Sequence, residues 1–138
     1  MTEALNASCH CGAVKIRMDR RPDYINECNC SLCHSHGVWW GYFAPAEVAV
    51  SGETRSYARA DKSDPVVKIH FCGECGCTTH FRTMPGFAER TGVDDVMGVN
   101  MRLVAVADLA GVELRYPDGA SWDGIGQWGF VREAVVLG

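Results

Sequence analysis

The sequence has no run of apolar residues approaching the ~18 that a membrane-spanning helix needs. Basic clusters are equally scarce: net charge is -4, and no stretch of Lys or Arg is longer than Arg20-Arg21. The electrostatic footprint of a nucleic-acid-binding surface is therefore missing. The stretch from Met1 to Asn6 has neither a basic start nor an apolar core, so no secretory leader is read and the cytoplasm is the expected compartment. Helical periodicity is also lacking, with no apolar pattern of that period sustained over about ten residues. With 15 glycines and 5 prolines in 138 residues, much of the chain is predicted to be turn and loop. The length suits one domain spanning residues 1–138.

Cysteine is what the chain has in excess. All 8 cysteines fall in three places. The first is Cys9-His10-Cys11, the second Cys28-Asn29-Cys30-Ser31-Leu32-Cys33, and the third Cys72-Gly73-Glu74-Cys75-Gly76-Cys77. Four disulfides would suit a small secreted chain, and nothing here directs secretion. C-x-C and C-x-x-C pairs are also poorly placed to bridge within themselves and well placed to share a metal ion. Two metal sites, with zinc as the ion, are the reading, and they would help to hold together a loop-rich chain.

Short alternating segments predict strands. Val14, Ile16 and Met18 alternate with Lys15 and Arg17. Extended segments are predicted at residues 24–27, 38–43, 47–52, 53–60 (with Tyr57 inward), 66–71, 78–82 and 96–103. Ser31 is the predicted cap of a short helical turn, and Val106 to Leu109 the start of another. Residues 84–95 and the tail from Tyr116 to Gly124 are predicted to be loop and turn. The fold class is mainly β.

In an extended segment residues i and i+2 share a face, so Cys9 and Cys11 can reach one ion, as can Cys28 and Cys30. Cys9, Cys11, Cys72 and Cys75 together make a closed set of four thiolates, the arrangement a structural zinc prefers. Cys28, Cys30 and Cys33 make a set of three, which leaves one coordination position for a substrate and is the candidate catalytic centre. Cys77 admits several roles: a fourth ligand that closes the second site, a redox-active thiol, or a buried small residue.

These three motifs, in this order and spacing, resemble the glutathione-dependent formaldehyde-activating enzyme family, which also contains centromere protein V. The resemblance covers about residues 6–105. It implies an Mss4-like fold of packed antiparallel β-sheets stabilised by zinc. It also implies a structural zinc on Cys9, Cys11, Cys72 and Cys75 and a catalytic zinc on Cys28, Cys30 and Cys33. The activity it implies resembles that of S-(hydroxymethyl)glutathione synthase, a carbon–sulfur lyase, with a small thiol such as glutathione and an aldehyde as partners. Cys77 departs from the pattern, in which a hydroxyl or aliphatic residue more often follows Cys-Gly. Other Mss4-like domains suggest an alternative, a non-catalytic zinc module that binds a protein partner. A thiol-redox enzyme using Cys77, similar in fold to methionine sulfoxide reductases, is a third possibility.

Around these cysteines, His34, His36 and His80 have two readings each, as hydrogen-bonding or acid–base groups and as ordinary loop or packed histidines. Trp39, Trp40, Tyr42 and Phe43 could wall a cleft or fill the core. Arg82 could pair with a substrate carboxylate or sit on the surface. Asn100, polar in an apolar strand, could orient a ligand or a loop.

Overall fold

The computed structural model describes residues 3–138; Met1 and Thr2, the start of the stretch read above as carrying no leader, lie outside the described residues. Among the described residues there are two sheets. The smaller is antiparallel: β1 (Leu5–Ser8) pairs with β2 (Lys15–Met18), and β2 pairs with β5 (Val48–Ser51). The larger contains β3 (Tyr24–Asn26), β4 (Trp40–Phe43), β6 (Thr54–Ala58), β7 (Val67–Cys72), β8 (Thr78–Thr83), β9 (Met97–Asn100), β10 (Glu113–Pro117) and β11 (Phe130–Val136). Its order is β11-β10-β3-β4-β9-β8-β7-β6. All its pairs are antiparallel except β3 with β10, which is parallel. The fold is mainly β, as the alternating segments predict. No helix among the described residues is long and apolar enough to cross a membrane.

The two faces of the larger sheet carry different cores. Alternation along β4 sends Phe43 to one side and Trp40 and Tyr42 to the other. On the first side Ile25, Phe43, Val99 and Leu114 pack against Leu5, Ile16 and Met18 of the smaller sheet. On the second side Trp40, Ile69 and Phe81 pack with Val38, Leu32, Tyr42 and Cys33. Leu32 and Cys33 belong to α1 (Ser31–His36), so this helix lies over that face. The rings of Trp40 and Phe81 meet edge to face with centroids 5.0 Å apart, a favoured aromatic geometry.

Several expectations are corrected. Tyr57 is 40% exposed rather than inward. It stands on β6, an edge strand with only β7 beside it. The cap of α1 is Cys30, whose sulfur accepts from the Cys33 amide, while Ser31 turns outward to Asp61. The strand predicted over 96–103 ends at Asn100, and Met101–Leu103 is a 3-10 turn capped by the Asn100 side chain. Val106–Leu109 is likewise a 3-10 turn. The loop over 84–95 contains a short helix, α2 (Phe87–Thr91). The tail holds β10 and β11, and the N-terminal stretch holds β1, none of which is predicted above.

Gly98 on β9 lies directly against Phe81 of β8, and a Cβ at that position would overlap the ring. Phe81 is itself buried in a cluster with Trp40 and Ile69. Gly98→Ala is expected to lower unfolding stability by about 1–3 kcal/mol, the usual cost of overpacking, as read from urea denaturation.

Candidate metal centre

The four-cysteine group is built from two turns. Cys9 to Gly12 follows β1, and Cys72 to Gly76 joins β7 to β8. In both turns a glycine adopts φ of 81°, a left-handed conformation that glycine adopts without strain (Gly12 and Gly76). Backbone amides point at sulfur: Val14 donates to Cys9 Sγ at 3.2 Å and Glu74 to Cys72 Sγ at 3.4 Å. The sulfurs of Cys9, Cys11, Cys72 and Cys75 all lie within 4.8 Å of one another. Cys9 to Cys11 and Cys11 to Cys72 are each 3.7 Å. A tetrahedron with metal–sulfur arms of about 2.3 Å has edges of about 3.8 Å, so these separations suit one ion held by thiolates. All eight cysteines are free, which excludes the disulfide reading. Thiolates this close repel one another, so protons divide unequally. A backbone hydrogen bond at Cys11, then one at Cys77, draws Cys75 down to about 5.

The second group sits where β3 runs into α1. Cys28, Cys30 and Cys33 bring their sulfurs within 4.8 Å of one another. The Cys30 amide donates to Cys28 Sγ and the Cys33 amide to Cys30 Sγ, both at 3.4 Å. From β4, Trp40 Nε1 donates to Cys33 Sγ at 3.4 Å. Hydrogen bonds from Cys28 and then Cys33 hold Cys30 down to about 2, whereas Cys28, then Cys30 and burial, push Cys33 up. Such a set is ready to lose its remaining protons to a cation.

Cys77 is not part of this group. It packs beside Cys9, Cys72 and Cys75. A backbone hydrogen bond at His10 draws its thiol down, but burial and the neighbouring Cys75 outweigh that and leave it raised. The reading in which Cys77 closes the second site is therefore corrected by its position in the turn after Cys75, which keeps it with the first cluster. Trp40 and Tyr42 face the second cluster, whereas Phe43 is in the core between the sheets. Trp39 donates to Glu27 at 2.9 Å and carries Arg102 over its ring. Asn100 orients backbone: its oxygen accepts from the amides of Trp39 and Arg102, and its nitrogen donates to the Thr78 carbonyl at 2.8 Å. Arg82 is on the surface near Asp95. His36 bonds the Leu32 carbonyl and, like His34, is exposed.

His80 pairs across the strands with His70 and Val99, on the face opposite Phe81 and hence away from Cys33. The two imidazoles stack with centroids 4.4 Å apart. Burial, then the charges of His70 and Arg82, depress His80 to about 3.

Three contributors to the second cluster escape sequence reasoning. Arg59 binds Asp61 at 2.7 Å and Ser31 at 3.1 Å, and its charge helps to lower Cys30. Asn29 donates to Asp118 and accepts from the Ala120 amide, each at 2.9 Å, and so ties the segment after β10 to the cysteine loop. Between those two residues Gly119 presses against Cys28 Sγ, where a Cβ would overlap the sulfur. Only the glycine and the short polar residues of 118–121 hint at this turn.

Two thiol clusters on a two-sheet, mainly β scaffold define a protein with two cysteine groups that could each hold a metal ion. Residues 4–105 match the model of the glutathione-dependent formaldehyde-activating enzyme family, and the chain belongs to that family. The solved structure of a Rhodobacter sphaeroides protein is similar at 26% identity and a TM-score of 0.57, over 78% of this chain and 97% of that one. No curated protein matches the chain. The Asp118–Ala120 segment that touches the second cluster lies beyond the matched residues.

Metal analysis with folding measurements separates the clusters. Cys9→Ser is expected to lower the stability of metal-loaded protein by several kcal/mol, because an ion held by four thiolates from two distant turns would contribute directly to folding. Cys28→Ser and Gly119→Ala are expected to lose one ion of two while the far-ultraviolet circular dichroism is kept. A second test uses His80. It is buried neutral with its pKa depressed, so the unfolded chain takes up a proton between about pH 6.5 and 3 that the folded chain refuses. The stability from its neutral form is complete above about pH 6.5 and is lost as pH falls, by at most about 1.4 kcal/mol per pH unit. Between pH 7 and 5 the metal-loaded wild type should lose more stability than His80→Gln, measured by denaturant titration.

Proposed function

We propose that the chain is a zinc-dependent enzyme of the carbon–sulfur lyase class. It would act in the cytoplasm on the adduct of glutathione, or another small thiol, with an aldehyde. The carrying observation is the three-cysteine cluster, which offers one ligand fewer than a tetrahedral ion accepts. Membership of a family named for glutathione-dependent formaldehyde activation supports the thiol and aldehyde as substrates. The other cluster, with four sulfurs, is read as structural.

When bound, zinc would favour the thiolate form of a substrate thiol at neutral pH. The reaction is then an addition. A bond forms between the thiol sulfur and the carbonyl carbon, the carbonyl π bond breaks toward oxygen, and the thiol proton ends on that oxygen as a hydroxyl. Around the site Trp40 and Phe81 supply an apolar wall beside Cys33. Arg59 adds positive charge near Cys30. Amides of Cys30 and Cys33 and the Trp40 indole direct donors at sulfur and fix the ligands.

A second reading, a partner-binding module, draws on one feature. Strand β11 is an edge strand exposed along its whole length, with Phe130, Val131 and Val136 outward.

Zinc-loaded protein mixed with glutathione and a panel of aldehydes is expected to speed adduct formation for at least one aldehyde. Cys28→Ser is expected to reduce kcat/KM by at least about 100-fold, the scale of losing a catalytic metal's contribution. A rate equal to the uncatalysed one throughout the panel would remove the activity and favour the partner-binding module.

A further inference from the structure

Next to the three-cysteine cluster lies a polar pair for which neither the packing nor the ligand geometry has a use. Asn26 is 2% exposed, on β3. Its Nδ2 donates to Tyr42 Oη at 3.1 Å. Its Oδ1 is buried and, among the described residues, has no hydrogen-bond partner. The Tyr42 hydroxyl accepts that one bond, and its own proton finds no acceptor among them. An amide oxygen buried without a partner is costly, and a donor arriving from outside the fold would relieve that cost.

The pair faces the cysteines. Tyr24 and Asn26 alternate onto one side of β3, and Cys28 follows two residues after it. Asn26 is paired across the strands with Trp40, so both point from the same face, and Trp40 reaches Cys33 Sγ at 3.4 Å. Tyr42 follows two residues later on that face and packs with Cys33. Charge on Cys33 and Cys28 is felt at its hydroxyl.

Whichever way the Asn26 amide is turned, at least one donor and one acceptor remain open. With Nδ2 toward Tyr42, Oδ1 is free to accept and the Tyr42 O–H to donate. With the amide reversed, Nδ2 donates and Tyr42 Oη accepts. A carbonyl oxygen can only accept, and a thioether sulfur accepts weakly. A hydroxyl does both.

We propose that Asn26 and Tyr42 form a subsite that binds the hydroxyl of a thiol–aldehyde adduct held at the three-cysteine cluster. This rests on the thiol-adduct reading above and adds to it the residues that recognise the product oxygen. During addition the carbonyl oxygen gains the thiol's proton and becomes that hydroxyl, and the subsite is complementary to the oxygen after the change rather than before it. Removing the pair therefore weakens adduct binding without altering the grip on sulfur.

Calorimetric titration of the zinc-loaded full chain tests this. The probes are S-(hydroxymethyl)glutathione, maintained by a fixed excess of formaldehyde, and S-methylglutathione in the same formaldehyde background. Wild type is expected to bind the hydroxymethyl compound about tenfold more tightly, the scale of one or two net hydrogen bonds. Tyr42→Phe is expected to bring that preference to within about twofold while leaving S-methylglutathione affinity unchanged. Asn26→Ala should do the same, and because Asn26 is buried, Tyr42→Phe is the variant that decides if Asn26→Ala fails to fold. A preference that survives in Tyr42→Phe, or no preference in a wild type that binds both probes, would overturn the subsite alone. A wild type that binds neither probe would instead overturn the thiol-adduct reading, and the subsite with it.

Discussion

Thiolates repel, and seven of the eight in this chain are held in two tight groups. That convergence is the constraint to which the remaining structure answers. Sulfurs spaced 3.7 Å apart are too far apart to bond to each other and about right to share a tetrahedral cation. The first group joins the turn after β1 to the turn between β7 and β8, so it links the small sheet to the large one. In a chain with short strands and much loop, such a link would add to the core that joins the sheets.

The second group is differently supported. Its three cysteines come from one local stretch, so no long-range crosslink is needed to assemble it. Other elements shape its surroundings: Trp40 from the neighbouring β4, and, from farther along the chain, Arg59 after β6 and Gly119 after β10. The second group is therefore local in its ligands, while its walls are drawn from several elements of the fold. The same face of the sheet that carries Trp40 and Tyr42 toward these sulfurs carries Asn26 there as well, because strand pairing fixes which side each residue takes.

Much of this was legible from local pattern. The Cys-x-Cys and Cys-x-x-Cys spacings marked both groups, and alternation marked β2, β7 and β8. Other features depended on contacts that no local pattern encodes. β11 is exposed throughout and so shows no in-and-out alternation to read. β10 pairs in parallel with β3, far away in the chain. Tyr57 reads as an inward strand residue, yet its strand is at an edge. Cys77 is at the right spacing to face a metal, but its turn carries it to the other cluster. Gly119 and Asn26 matter only because of what folding brings beside them, and a single glycine or asparagine carries no sign of that.

The most direct test of the account is X-ray absorption at the zinc edge on protein carrying two ions per chain. Four sulfurs at one ion and three at the other predict an average of about 3.5 sulfurs per zinc, with the balance a lighter ligand. Addition of a small thiol should raise the average to about 4 as the under-coordinated ion takes a further sulfur. An average of four before any thiol is added, or one that does not move afterwards, would contradict the account.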